Sequence, residues 1–250
     1  MSGHSKWANI KHRKASQDAK RGNLFQKLVK AVIIAAKEGG GDPSMNMRLK
    51  AAIDRAKAAS VPNDNIMRGI KRGTGEIEGA QYEEIVYEAY GPGGVAILID
   101  VLTDNRNRTA SDMRALLTRN GGSLGEAGSV SWMFERKGLI EVSGADLDEE
   151  NLMTAALDGG AEDLEKTEDG YLIYCEPSSL PEVKEALETA GYQVERAESD
   201  MIPTNTVPVT GKEKAAKMLR LMDILEDHDD VQNVYANFDI PDEIMESLEG

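Results

Sequence analysis

Little in this chain invites chemistry. Its 250 residues include one cysteine, three histidines and only 5% aromatics. The lone cysteine, Cys175, excludes an intrachain disulfide and fits a reducing compartment, so the cytoplasm is the expected location. No stretch approaches the roughly 18 uncharged apolar residues of a membrane span. The longest apolar run near the start, 28–36, is broken by Lys30, which argues against a signal peptide. No Ser/Arg-rich leader precedes Gly3, so a transit peptide is not expected either.

The usual marks of catalysis are also missing. His4, His12 and His228 show no metal-ligand spacing with Cys175 or a carboxylate cluster. Cys175 lies within an apolar, strand-like stretch and reads as a small buried residue. Glu83 and Glu84 are neighbours in a strand and point to opposite faces, so they cannot share a substrate proton. Asp229-Asp230 reads as a solvated pair in a loop. There is no phosphate-binding Walker loop, no GxSxG and no GxGxxG leading into a helix. No catalytic residue, metal or cofactor is expected.

What the chain does have is charge, sorted by position. Residues 1–75 hold 16 Lys/Arg against five acids, a net of +11, whereas the other 175 hold 13 bases against 39 acids, a net of −26. The total of −15 conceals both blocks. A basic block beside an acidic body points to a polyanion-binding module, the alternative being that the two blocks neutralise each other inside the fold.

Periodicity divides the chain. After an arm ending near Lys14, a helix capped near Ser16 runs to about Glu38 and stops at Gly39-Gly40-Gly41. Its apolar residues, Leu24, Phe25, Leu28, Val29, Val32, Ile33 and Ala36, cover one half, and Lys20, Lys27, Lys30 and Lys37 cover the other, which reads as a cationic outer face. Asp42-Pro43-Ser44 is expected to start a second helix and Pro62-Asn63-Asp64 a third, with a glycine hinge at 73–79. Strands at 82–90 and 95–103 flank a Gly91-Pro92-Gly93-Gly94 turn. A helix capped by Thr109 or Ser111 follows, then a strand in which Val130, Trp132 and Phe134 share a face. Residues 139–198 read β-α-β-β-α-β, the ferredoxin-like split unit. A strand near 206–209, a helix at 212–225 and a strand at 231–238 complete a second four-stranded layer. The expected fold is α+β: a three-helix domain (1–78) and two ferredoxin-like domains, one (137–203) inserted into the other (79–136 and 204–250).

The candidate binding residues cluster in the arm and helices: Lys6, Trp7, Lys11, His12, Arg13, Lys14, Lys20, Arg21, Lys27, Lys30, Lys71 and Arg72. Cations suit phosphates, and Trp7 can either stack on an unpaired base or anchor the arm to the helices. His4 and His12 can donate to phosphate or pack locally. Arg106 and Arg108, at a strand-to-helix junction, form a possible second anion site or else a cap with internal ion pairs.

The run Gly3-His4-Ser5-Lys6-Trp7-Ala8-Asn9-Ile10-Lys11-His12-Arg13-Lys14, with Gln17-Asp18-Ala19-Lys20-Arg21, resembles the opening of the YebC/PmpR family. The likeness continues through Asn105-Arg106-Asn107-Arg108-Thr109, Gly121-Gly122-Ser123-Leu124, Gly128-Ser129-Val130-Ser131-Trp132-Met133-Phe134 and Pro203-Thr204-Asn205, nearly the whole chain. It implies one helical and two α/β domains, and a bacterial cytoplasmic DNA-binding transcriptional regulator. Mitochondrial members of that family act as translational activators, and bacterial ones are linked to ribosomes stalled at proline-rich stretches.

The expected function is therefore non-catalytic control of gene expression through nucleic acid, either DNA or ribosomal RNA. The acidic domains could face the ribosome or other basic proteins, and no membrane partner is expected. A small-molecule sensor is the alternative of another class, resting on fold analogy alone.

Overall fold

A computed structural model describes residues 18–249 apart from positions 145 and 168. It opens with three helices, α1 (Asp18–Gly39), α2 (Met47–Ala58) and α3 (Asn63–Gly73). α2 begins later than the sequence suggests. Asp42 closes a turn of its own by accepting from the Ser44 amide and hydroxyl. Asn46 is the true cap: its Oδ1 accepts from Leu49 N at 3.0 Å. Its Nδ2 also donates to Ala35 O and Gly40 O, tying the start of α2 to the end of α1. Those last two bonds are long-range, so local spacing could not select Asn46 over Asp42.

α1 is the axis of this domain. Val32, Ile33, Ile34, Ala35 and Ala36 are all buried, five consecutive positions that together cover the whole circumference. The expectation of one packed and one solvated face fails here, because α1 is covered on both sides. α2 and α3 cover one side, and α3 comes closest. A Cβ on Gly69 would stand 3.3 Å from Val32 Cγ1, and one on Gly73 only 2.4 Å from the Ile33 carbonyl oxygen. The two glycines, one turn apart, let α3 approach α1 closely, side chains at Gly69 and backbone at Gly73.

The first sheet has the order β3-β1-β2-β9, with β1 (Glu83–Tyr90), β2 (Ala96–Thr103), β3 (Ser123–Leu124) and β9 (Val231–Ala236) antiparallel throughout. The β1–β2 turn holds Gly93 and Gly94 at φ 85° and 81°, values that side-chain-bearing residues avoid. α4 (Arg106–Arg119), α7 (Lys212–Glu226) and the C-terminal α8 (Asp242–Glu249) cover one face. Ile97, Ile99, Val101, Met113, Leu117, Met218 and Leu221 form its aliphatic core. β8 (Val207–Pro208) and β10 (Phe238–Asp239) add a short parallel pair.

Two local readings are corrected. α4 is capped by Asn105, whose side chain accepts from Arg108 N, while Thr109 is fully buried in the second turn. Val130, Trp132 and Phe134 do not form a strand. Ser131–Met133 is a 3-10 turn with Trp132 exposed, and the strand starts at Phe134. The fourth place in the first sheet belongs to β3 instead. Glu88 explains the turn: its buried carboxylate accepts from the amides of Gly128, Val130 and Ser131 at 2.6–2.8 Å. Burial alone would raise its pKa, but these three N–H groups hold it below the usual carboxylate range.

The second sheet, in the order β5-β6-β4-β7, consists of β4 (Phe134–Ser143), β5 (Ala161–Lys166), β6 (Gly170–Cys175) and β7 (Val194–Pro203), all antiparallel. α5 (Glu149–Asp158) and α6 (Leu180–Thr189) pack on one face around Ile140, Leu152, Ile173, Val183 and Leu187. Cys175 is buried in this core, and burial pushes its thiol pKa up. Trp132–Thr206 forms one compact unit, and the described residues up to Ser131 form another with those from Val207 on.

The helix contact predicts opposite signs for two Gly→Ala changes. Gly73→Ala should lower stability by ~1–3 kcal/mol, since backbone must move. Gly22→Ala, on α1 with nothing within 4 Å of its Cβ, should raise it by about 0.5–1 kcal/mol. Urea denaturation of both variants checks this, and equal effects would contradict the close approach.

Candidate nucleic-acid interface

The cations of the helical domain divide into two populations. On α1, Asn23, Lys27 and Lys30 recur at i, i+4 and i+7 and so share one face. That face meets the end of α7. Asn23 donates to Asp227 O at 2.8 Å, Lys27 to Glu226 O, and Lys30 to Asp229 O at 3.0 Å. The last carbonyls of a helix lack intrahelical partners and form its negative end, so ammonium donors suit them. Lys37 donates to Tyr82 O, and Arg48 pairs with both Glu38 and Glu84.

Asp230 lies at the centre of this docking. It is 3% exposed, not solvated as its sequence context suggests. Oδ1 accepts from Lys30 Nζ at 2.9 Å, and Oδ2 from Arg108 Nη2 at 2.9 Å and Thr109 Oγ1 at 2.8 Å. Lys30 also lies 5.4 Å from the Tyr82 ring centre, over its face. Burial would raise the Asp230 pKa, but Lys30, Arg108 and Thr109 together hold it at about 2. Three elements thus meet on one carboxylate: α1, the start of α4, and the turn into β9.

These contacts reassign several candidates. Lys27 and Lys30 are engaged within the protein. Arg108 is held by Asp104 and Asp230, and Arg106 faces Glu83 at 3.5 Å, so their junction is a cap with internal ion pairs. Arg72 is half-buried along Gly79, whereas Lys71 points outward. Lys6, Trp7, Lys11, His12, Arg13 and Lys14 lie outside the described residues, as does His4. Lys20 and Arg21 fall in the first turns of α1. Three exposed cations not among the candidates above, Lys50, Lys57 and Arg68, have no ionic partner among the described residues. Their exposed positions on amphipathic helices were the available signal.

Among the described residues no helix is long and apolar enough to cross a membrane, and no His/Cys/Asp/Glu group could hold a metal ion. An open groove of about 630 Å³ between α5 and α6 is lined by Ala155, Asp158, Gly159, Glu182, Glu185 and Ala186 among others. Its acids disfavour an anionic effector.

Asp230 makes stability pH-dependent in a defined window. Its folded pKa of about 2 lies below its ordinary 3.8, so its contribution is present above about pH 4 and lost as pH falls toward 2. Asp230→Asn should cost ~1–2 kcal/mol at pH 7 and flatten stability between pH 4 and 2. Lys30→Met should cost ~1–3 kcal/mol, because Arg108 alone then balances the buried charge. Urea unfolding across pH 2–7 reads both; a wild-type curve flat below pH 4 would contradict the assignment.

Comparison with known proteins accords with this architecture. Residues 5–76 match the family model described as "TACO1/YebC protein N-terminal domain", and residues 82–238 match "TACO1/YebC second and third domain". A "Probable transcriptional regulatory protein" of Halothermothrix orenii is 57% identical over 99% of both chains. One of the same name from Thermotoga maritima is 56% identical over 99% of this chain and 98% of its own. The crystal structure of a conserved hypothetical protein from Aquifex aeolicus superposes with a TM-score of 0.85 at 49% identity, covering 96% of this chain and 99% of that one. The chain belongs to the TACO1/YebC family.

Proposed function

We propose that this protein is a non-catalytic, cytoplasmic regulator of gene expression that binds nucleic acid through its basic N-terminal block. The carrying observation is the charge division, +11 in residues 1–75 against −26 in the rest. Internal docking accounts for Lys27, Lys30, Lys37 and Arg48, leaving the arm cations and the outward cations of α2 and α3 to face a polyanion. DNA is the proposed target, in keeping with relatives named as probable transcriptional regulators. In this reading Trp7 stacks or anchors beside Lys6, Lys11, His12, Arg13 and Lys14, and the second α/β domain is a ferredoxin-like insertion within the first.

One observation favours ribosomal RNA as the second reading. Residues 132–206 carry 19 acids against five bases, a surface that repels duplex and suits basic ribosomal proteins. Crosslinking in cells, with sequencing of both bound DNA and bound RNA, decides between promoter and ribosome.

In vitro, affinity of the full chain for nucleic acid should fall on the order of 10³-fold or more between about 50 and 200 mM salt if six or more phosphates are contacted. Replacing Lys11, Arg13 and Lys14 together by Glu should abolish binding. Undiminished affinity in that triple variant, read by fluorescence anisotropy, would remove the arm from the interface.

A further inference from the structure

We infer that the outward face of α3, formed by Met67, Arg68 and Lys71, is a second nucleic-acid contact surface, built into the folded domain and separate from the arm. This rests on the proposed function and assigns it a site that the charge division alone does not locate.

Helical spacing places the three residues together. Ile66, Gly69 and Ile70 are buried against α1, so positions 67, 68 and 71 occupy the opposite arc. Among the described residues, neither Arg68 nor Lys71 has an ion-pair or hydrogen-bond partner for its side chain. Asp64 is the one acid on that arc, in the first turn, where the helix dipole favours it. The contrast with α1 gives this meaning. There the cations sit on carbonyls and on Asp230, whereas here, among the described residues, two cations on the last turns of a helix make no ion pair.

Between them Met67 leaves 53% of its surface in water. A flexible thioether beside two cations suits a nucleic-acid strand, with cations on phosphates and sulfur and methylenes against a sugar or base face. The platform is also rigid. Gly69 and Gly73 bring the α3 backbone against α1, and α1 is fixed to the first sheet by Lys27 and Lys30. A contact on α3 therefore loses little conformational freedom on binding, in keeping with a preorganised site.

The test uses the full chain and two fluorescent probes of about 30 nucleotides, a single-stranded RNA and a DNA duplex of the same sequence, titrated from about 50 to 200 mM salt. Arg68→Gln with Lys71→Gln should weaken binding and reduce the log–log salt slope by about 1.8 on duplex or about 1.4 on single strand, as loss of two phosphate contacts requires. Lys214→Gln with Arg220→Gln, an equal charge change at exposed positions of α7, should leave the slope unchanged. Met67→Gln should weaken binding without altering the slope, since no counterion is involved. Arg68→Lys with Lys71→Arg should retain wild-type binding, and thermal melting should find all variants folded.

A wild-type slope in the Arg68/Lys71 Gln pair, or an equal loss in the Lys214/Arg220 pair, overturns the site while leaving the proposed function standing. Unchanged affinity in Met67→Gln removes that residue from it. A wild-type chain that binds neither probe overturns the proposed function and this inference together.

Discussion

A buried aspartate organises the unit in which the three helices and the first sheet pack together. Asp230 receives Lys30 from α1 and Arg108 and Thr109 from α4, while its own carbonyl accepts from Leu102 N on β2 at 2.8 Å. A carboxylate removed from water is tolerated only when charge and hydrogen bonds replace hydration. Here both oxygens are occupied, and the partners come from segments as far apart as residues 30, 108 and 230. The helical domain cannot leave the sheet without exposing or stranding that charge. What looks in sequence like a module on a glycine hinge is therefore a docked one.

The docking changes what the basic block means. Charge counts treat every lysine alike, yet an ammonium on a carbonyl at the end of α7 already spends part of its charge and its donors inside the fold. Lys27, Lys30, Lys37 and Arg48 belong to the internal electrostatics of that unit. Lys50, Lys57, Arg68 and Lys71 make no such contact among the described residues. Mutual attraction, one of the two explanations of the charge division, thus accounts for only part of the cations of these helices.

Periodicity exposed most of the elements, because strands at period two and helices at 3.6 follow from local side-chain placement. The β-α-β-β-α-β order of the second sheet, the glycine turn between β1 and β2 and the start of α3 at Pro62-Asn63 were legible for that reason. The errors share a different cause. Asp42 and Thr109 are good caps by type, but Asn46 and Asn105 hold the positions, and Asn46 does so through bonds back to α1. Val130-Trp132-Phe134 alternates like a strand, yet Glu88, some forty residues earlier, gathers the amides of that segment into a turn. Asp229-Asp230 looked solvated because Lys30, Arg108 and Thr109 are invisible to any local window. Each error sits where a polar side chain reaches across the fold.

The same long-range bonds tie the candidate surface to the body of the protein. α3 lies closely on α1, at Gly69 against the side chains of Val29 and Val32 and at Gly73 against the α1 backbone, and α1 rests on α7 and Asp230 through Asn23, Lys27 and Lys30. Neither contact includes a flexible linker, so a force applied to the outer face of α3 passes through packed backbone into the first sheet. The burial of Val32 to Ala36 around the whole helix follows from this position. Lys27 and Lys30 meet carbonyls and Asp230, because α1 is the member through which the outer helices are held. Lys27 and Lys30 serve attachment, whereas α2 and α3 each keep one face exposed.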